Sequence, residues 1–160
     1  ERYVNVNILP QLFFSQKLVA KMLQRKNRSA IVNLSSQVAL LDGMQYLSLY
    51  GATKAFNNLL SLSLSREFRS KIDCLSLCPG SVATPLARQY DISESAGLNP
   101  ATLASNALNA LGHDKQTYGS LRFSFETPII NAFAAFPPTS WIQDFVISQV
   151  KDKLKRKRQQ

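Results

Sequence analysis

The first part of the chain combines a helical pattern with a short strand pattern. Across residues 4–25, apolar side chains recur every three or four positions, which predicts a helix with one apolar side. Pro10 lies in its first turns and is expected to bend it. Residues 30–34 are nearly all apolar and rich in branched side chains, as expected of a parallel strand covered on both faces.

A second helix and a second strand follow. Residues 37–49 are loop-like, residues 47–68 have helical periodicity, and residues 72–78 form an apolar strand closed by Pro79 and Gly80. A strand, a loop, a long helix and a strand form a right-handed crossover, so the two strands are expected to be parallel neighbours. The pattern predicts an α/β fold with a parallel sheet covered on both faces.

The chain is less regular after the second strand. The stretch up to Gly97 is polar and fits either a flap over a ligand or a plain surface loop. Asn99 and Pro100 then begin a helix, as its cap and first residue, and Gly112 stops it. Residues 119–125 alternate between apolar and polar side chains and are expected to form a final strand.

The C-terminal segment is apolar first and basic afterwards. Residues 128–136 and 141–150 are two apolar stretches, each too short to cross a bilayer. Residues 151–158 contain six basic side chains and one acidic one, and so carry much of the net charge of +9. We therefore divide the chain into a domain over residues 1–127 and a segment over residues 128–160 that contacts an anionic membrane surface. The alternative is a C-terminal helix packed on a homodimer partner or on a part of the protein outside this chain.

Composition narrows the class of protein. The 160 residues suffice for about one domain, and the apolar fraction of 45% suits a folded protein. Cys74 and Cys78 fit neither a metal site nor a disulfide framework, so both are expected to be reduced and buried. Because no aromatic residues are interleaved with the basic run, we do not expect nucleic acid to be a partner.

Three side chains in residues 36–54 suggest chemistry. Tyr50 and Lys54 are four positions apart on a predicted helix and so share one face. A phenol titrates near pH ~10 in water, and a cation beside it favours the ionised form. Ser36 follows the first strand and is placed to donate to an oxygen that the phenol also reaches. Taken alone, the pair also fits a half-buried tyrosine beside a lysine with no function.

The placement of these side chains strengthens the interpretation. Ser36 follows the carboxyl end of the first strand, and Pro79 and Gly80 follow that of the second. Ligands of parallel sheets bind beyond the carboxyl ends of the strands. The candidate residues are therefore expected at one edge of the sheet.

The order and spacing of several motifs resemble the short-chain dehydrogenase/reductase family. The motifs are Asn7, Ile31-Val32-Asn33-Leu34-Ser35-Ser36, Tyr50-Gly51-Ala52-Thr53-Lys54-Ala55-Phe56 and Cys78-Pro79-Gly80-Ser81-Val82-Ala83-Thr84. Within the family, the chain is most similar to the branch of the very-long-chain 3-oxoacyl-CoA reductases and 17β-hydroxysteroid dehydrogenases. Ser36 and Tyr50 are fourteen positions apart, one more than the common spacing, so we expect an extra residue in the intervening loop.

The resemblance implies a role for each residue. Tyr50 would protonate the substrate carbonyl as hydride arrives from NADPH, with NAD a less favoured cofactor. Lys54 would assist the tyrosine and bind the nicotinamide ribose, Ser36 would hold the substrate oxygen, and Asn7 would support a water relay to the lysine. Tyr50 would contact the cofactor together with Lys54. The segment that lies against the nicotinamide and phosphate would be formed by Pro79, Gly80, Val82 and Thr84.

The resemblance also implies the fold, a Rossmann-type doubly wound parallel sheet, and what lies outside this chain. The family's Gly-rich phosphate turn and its Asn-Asn-Ala-Gly segment are absent, so we expect the chain to be the C-terminal half of a longer protein, to lack the N-terminal strands of the sheet and to bind NADPH poorly alone. The implied function is NADP-dependent reduction of a 3-oxoacyl-CoA in fatty acid elongation. The alternatives are a hydroxysteroid dehydrogenase and a truncated, non-catalytic interaction protein. The last four residues resemble a dilysine-type signal, which favours the cytosolic face of the endoplasmic reticulum membrane over the cytoplasm.

Overall fold

A computed structural model describes residues 1–41, 43–44, 47–85, 87 and 97–134. Its centre is a parallel sheet of three strands in the order β1, β2, β3. Strand β1 (Ser29–Leu34) pairs with β2 (Ile72–Leu77) over six positions, from Ser29 opposite Ile72 to Leu34 opposite Leu77. Strand β3 (Gln116–Thr117) adds a short third member beside β2. The predicted parallel pairing is confirmed.

Two predicted helices lie before and after β1. The first begins with a single π-helical turn (Val4–Ile8) and continues as α1 (Leu9–Leu23), with Pro10 just after the π-helical turn. Helix α2 (Ser48–Glu67) is the crossover between β1 and β2. Part of the predicted loop between β1 and α2 is a 3₁₀ turn (Gln37–Leu40).

Helices cover both faces of β2, which makes the fold doubly wound. Ile72 and Cys74 pack with Val19 of α1 on one face. On the other face, Leu75 and Leu77 pack against α3 (Pro100–Ala110), whose cap is the predicted Asn99. Because alternate residues of a strand point to opposite faces, one central strand anchors both apolar layers. The predicted Rossmann-type architecture is confirmed as a partial sheet.

The predicted final strand over residues 119–125 is wrong. Gly119 has a φ of 67°, which ends β3, and helix α4 (Leu121–Ala134) follows. Phe123 and Thr127 are buried and four residues apart, so they share the inner face of a helix, while Phe125 is exposed. Phe123 and Phe125 contribute to the apolar and polar alternation that predicted a strand, but in the helix the first is buried and the second is exposed.

Several expectations concern residues outside the described part of the chain. The flap or loop alternative falls mainly on residues 88–96, and most of the predicted membrane segment falls on residues 135–160. Helix α4 runs through residue 128, where the C-terminal segment was predicted to begin. Within the described ranges, every helix is too short or too polar to cross a bilayer. Both cysteines are free and buried, as predicted, and burial raises the pKa of the Cys74 thiol to about 11.

A bidentate ion pair fastens the end of the crossover opposite the candidate site. The Arg28 guanidinium, just before β1, binds both carboxylate oxygens of Asp73 and donates to the backbone oxygens of Arg69 (3.1 Å) and Ser70 (2.9 Å). One side chain thereby joins β1 to β2 and satisfies carbonyl groups that follow α2. The guanidinium lowers the pKa of Asp73 below its ordinary value of 3.8.

This lowered pKa predicts a loss of stability in acid. The Asp73 contribution is complete above the carboxyl's unfolded pKa and is lost as pH falls through the lower folded pKa. We therefore expect Asp73→Asn to reduce the free energy of unfolding at pH 7 and to match the wild-type chain once the wild-type carboxyl is protonated. Urea denaturation across this pH range measures the difference. An equal deficit at every pH would show that the asparagine damages packing instead.

Candidate active site

The carboxyl ends of β1 and β2 continue side by side into the candidate site. The Ser35 amide donates to the Leu77 carbonyl oxygen (2.7 Å), and the Gln37 amide donates to that of Pro79 (2.8 Å). Ser36 lies between these two contacts and is buried. Its Oγ accepts a hydrogen bond from the Val38 amide (3.3 Å) and caps the 3₁₀ turn, which leaves the hydroxyl proton able to donate.

Tyr50 and Lys54 approach the same place from the first turns of α2. The Lys54 Nζ lies 5.8 Å from the centre of the Tyr50 ring and donates to the carbonyl oxygen of Leu34, the last residue of β1 (3.1 Å). Burial lowers the pKa of Lys54, and the nearby Cys78 partly opposes this shift. The Tyr50 ring is held edge-to-face by Tyr3, at 6.5 Å between ring centres. The structure thus brings the Tyr50 phenol, the Lys54 ammonium and the loop of residues 35–40, called here the serine loop, to one edge of the sheet.

The two consecutive serines have different roles. The Ser35 hydroxyl donates to the backbone oxygen of Lys54 (2.7 Å), which fastens the second turn of α2 to the end of β1. Ser35 therefore fixes the position of the lysine, and the role of Ser36 as the hydroxyl of the site stays a prediction. The family motif did not indicate this anchoring role for Ser35.

Asn7 reaches the site through a residue that the sequence analysis did not single out. The Asn7 Nδ2 donates to Thr53 Oγ1 (3.0 Å), and that hydroxyl donates to the backbone oxygen of Tyr50 (2.8 Å). Thr53 is buried. Through these two hydrogen bonds its hydroxyl joins the π-helical turn to the first turn of α2. Threonines within helices often bond to a carbonyl three or four residues earlier, which is the signal that could have revealed it. The water relay from Asn7 to Lys54 stays a prediction.

Pro79 and Gly80 form the wall of the site next to the serine loop. A Cβ on Gly80 would lie 2.6 Å from Phe123 Cε1 and 2.7 Å from Gln37 Oε1, so no side chain fits there without a shift. The glycine allows the Phe123 ring of α4 to approach the backbone at the end of β2. This contact places α4 beside the site, although the sequence suggested a strand there.

Val82 and Thr84 continue the same wall. Val82 forms a parallel bridge with Leu98, supported by hydrogen bonds from the Ala83 amide to the Leu98 oxygen and from the Leu98 amide to the Ser81 oxygen, both 2.9 Å. The Thr84 Oγ1 accepts from the Ala87 amide (3.2 Å). The assignment of Pro79, Gly80, Val82 and Thr84 to cofactor binding stays a prediction.

An apolar cavity lies near the site, and its described lining includes the chain neighbours Gly51 and Ala55 but not the side chains of Ser36, Tyr50 and Lys54. The cavity has a volume of about 190 Å³ and lies between the loop before α2 and the first turns of that helix. Apolar side chains and small residues line most of it, among them Val38, Leu41, Met44, Leu47, Gly51 and Ala55. Among the described residues, no group of three His, Cys, Asp or Glu side chains could hold a metal ion. The donors suit a ligand with a polar oxygen and an apolar body.

The donor set also fits a nicotinamide cofactor. The Lys54 ammonium uses one of its three N–H groups to donate to the Leu34 backbone oxygen, and it lies at the edge where ligands of parallel sheets bind. Within the part of the chain that the structure describes, no hydrogen bond uses the other two donors, which suits the binding of ribose hydroxyls.

Comparison with known proteins gives consistent findings. A family model described as short chain dehydrogenase matches residues 1–95. The human very-long-chain 3-oxoacyl-CoA reductase is 31% identical over 134 residues, which cover 82% of this chain and 41% of that protein. The corresponding protein of Macaca fascicularis is 32% identical over 124 residues, covering 76% and 38%. The chain spans about two fifths of the length of these curated relatives.

Solved structures show the same fold. A 7beta-hydroxysteroid dehydrogenase superposes with a TM-score of 0.68 at 20% identity, covering 78% of this chain and 50% of that one. A 3-oxoacyl-[acyl-carrier protein] reductase from Brucella melitensis with bound NAD gives a TM-score of 0.56 at 28% identity, covering 72% and 48%.

Proposed function

The chain belongs to the short-chain dehydrogenase family, and from this premise we propose that it provides the catalytic residues of an NADP-dependent reductase of fatty 3-oxoacyl-CoA. The observation that carries the proposal is the convergence of Tyr50 and Lys54 with the serine loop at the carboxyl edge of β1 and β2. The similarity to the human and macaque 3-oxoacyl-CoA reductases favours this substrate class.

The proposed mechanism assigns one task to each side chain. The nicotinamide cofactor supplies a hydride when it is bound. Ser36 donates a hydrogen bond to the substrate carbonyl oxygen and orients it, and the Tyr50 phenol gives its proton to that oxygen as the carbonyl carbon is reduced. Lys54 holds a positive charge beside the phenol and binds the ribose hydroxyls. The products are the 3-hydroxyacyl-CoA and the oxidised cofactor.

The substrate class is tested by comparing two carbonyl compounds. We expect the full-length gene product to oxidise NADPH faster with a long-chain 3-oxoacyl-CoA than with a 17-ketosteroid, and faster than it oxidises NADH. The apolar cavity beside α2 suits either substrate body, so the rates decide between them. Faster turnover of the ketosteroid would favour the hydroxysteroid dehydrogenase alternative, and no turnover of either would favour the non-catalytic one.

A second proposal concerns a membrane partner at the cytosolic face of the endoplasmic reticulum. Among the side chains of α4 that the structure describes, four large apolar ones are exposed, namely Leu121 (79%), Phe125 (68%), Ile129 (52%) and Ile130 (43%). Leu121, Phe125 and Ile129 recur every four residues and so form one ridge. The sequence after this helix supplies further apolar residues and then the basic run, which suits anionic headgroups.

Vesicle binding tests the membrane proposal. We expect the chain to cosediment with vesicles that contain phosphatidylserine, and Phe125→Ser to weaken this binding. Leu108→Ser is the matched control, because Leu108 of α3 is equally exposed (66%) but lies on another helix. Equal binding by both variants would remove the support from α4, and a concentration-dependent increase in mass without vesicles would favour a homodimer instead.

A further inference from the structure

Gln37, the residue after Ser36, is held from two sides. Its backbone amide donates to the Pro79 oxygen (2.8 Å), and its side-chain Nε2 donates to Thr127 Oγ1 of α4 (3.0 Å). The Thr127 hydroxyl gives its own proton to the Phe123 backbone oxygen (2.9 Å) and is buried. The threonine oxygen is therefore oriented as an acceptor toward Gln37.

Two further contacts fasten α4 to the same loop. The Asn131 Nδ2 donates to the carbonyl oxygen of Leu40, the last residue of the 3₁₀ turn (2.8 Å). At the other end, the Phe123 ring fills the space above Gly80. Phe123, Thr127 and Asn131 are spaced by four residues and thus form one face of the helix. This face is opposite to the exposed ridge of Leu121, Phe125 and Ile129.

We propose that Gln37 and Thr127 are positioning residues for Ser36, so that α4 sets the place of the serine hydroxyl in the site. The inference rests on the proposed function, and it adds a helix from the far end of the chain to the machinery that orients the substrate. Ser36 is the cap of the turn that Gln37 begins, so a shift of this turn moves the serine as well. Displacement of a catalytic group by about 1 Å can lower a rate by ~10²-fold.

Kinetics of a shape-matched pair test the proposal. In the full-length gene product, Thr127→Val removes the oxygen that Gln37 binds, whereas Thr127→Ser keeps it. We expect Thr127→Val to lower kcat for the 3-oxoacyl-CoA by up to ~10-fold without changing the KM for NADPH, and Thr127→Ser to stay near wild type. The double variant Gln37→Met/Thr127→Val should be no slower than the slower single variant, because both changes break one contact.

A readout independent of catalysis separates this inference from the proposed function. The Ala39 amide donates to the Ser36 backbone oxygen (3.0 Å), so hydrogen exchange of residues 36–41 reports the order of the serine loop. Thr127→Val should speed this exchange relative to β1, and Thr127→Ser should not. If the wild-type protein reduces no carbonyl substrate, the proposed function fails while the exchange still decides the positioning. Unchanged exchange, unchanged kcat with a lower melting temperature, or additive effects in the double variant would each overturn the inference.

Discussion

Replacing Tyr50 by phenylalanine should lower the rate of carbonyl reduction by about 10²–10⁴-fold, the usual range for loss of a positioned acid. The substitution removes the proposed proton donor and keeps the ring, so the edge-to-face contact with Tyr3 is preserved. Binding of NADPH, measured by fluorescence titration, should change little because Lys54 remains. Steady-state kinetics with a 3-oxoacyl-CoA measure the loss as a fall in kcat.

Tyr3→Phe is the control for this experiment. It removes a hydroxyl from the other ring of the same aromatic pair, and the Tyr3 side chain is about half exposed (49%), so turnover should stay near the wild-type value. A Tyr50→Phe variant that keeps more than a tenth of wild-type turnover would show that another group protonates the substrate.

Replacing Lys54 by methionine should lower turnover without lowering stability. The variant loses the charge beside the phenol and the donor for the cofactor ribose, so we expect kcat/KM to fall by about 10²-fold or more. Burial lowers the pKa of this lysine, which means that the charged side chain is less favourable in the folded chain than in the unfolded one. At pH 7 the methionine variant should therefore unfold at the same or a higher urea concentration.

The pH dependence gives the sign of this effect. The folded chain releases the Lys54 proton at a lower pH than the unfolded chain does, so wild-type stability rises with pH between the lowered pKa and the ordinary value of 10.5. The difference between wild type and Lys54→Met should accordingly shrink in that range. Lys17→Met, which changes a lysine of α1 away from the site, should leave turnover at the wild-type value. A destabilised Lys54→Met variant at pH 7 would mean that the bond to the Leu34 oxygen outweighs the burial of charge.

The parts of the fold that the sequence predicted are those with a clear local period. The crossover from β1 through α2 to β2 has branched apolar strands and a long amphipathic helix. These patterns can be recognised in the sequence without knowledge of the tertiary contacts. The failure at residues 119–125 has the opposite cause. Phe123 is buried because Gly80 leaves room for its ring, and Phe125 is left exposed, and neither fact is visible in a window of seven residues.

The residues of the candidate site also divide into those with a local sequence signal and those without one. Tyr50 and Lys54 were singled out because their spacing on one helix is local. Thr53 was missed because its partner Asn7 lies 46 positions away, and the contact between Gln37 and Thr127 spans 90 positions. Contacts at such distances are decided by how the layers pack, so sequence periodicity did not reveal the residues that brace the site.

The uncovered side of β1 has a consequence for handling the protein. Leu75 and Leu77 of β2 are sealed by α3, yet their neighbours in register, Val32 (42%) and Leu34 (52%), remain open to solvent. Within the described residues β1 is also an edge strand, with backbone groups that no neighbouring strand pairs. An apolar strand with a free edge is a template for aggregation. We therefore expect a form of the protein in which another strand pairs with β1 to aggregate less than one in which this edge is open, a difference that can be measured before any substrate is known.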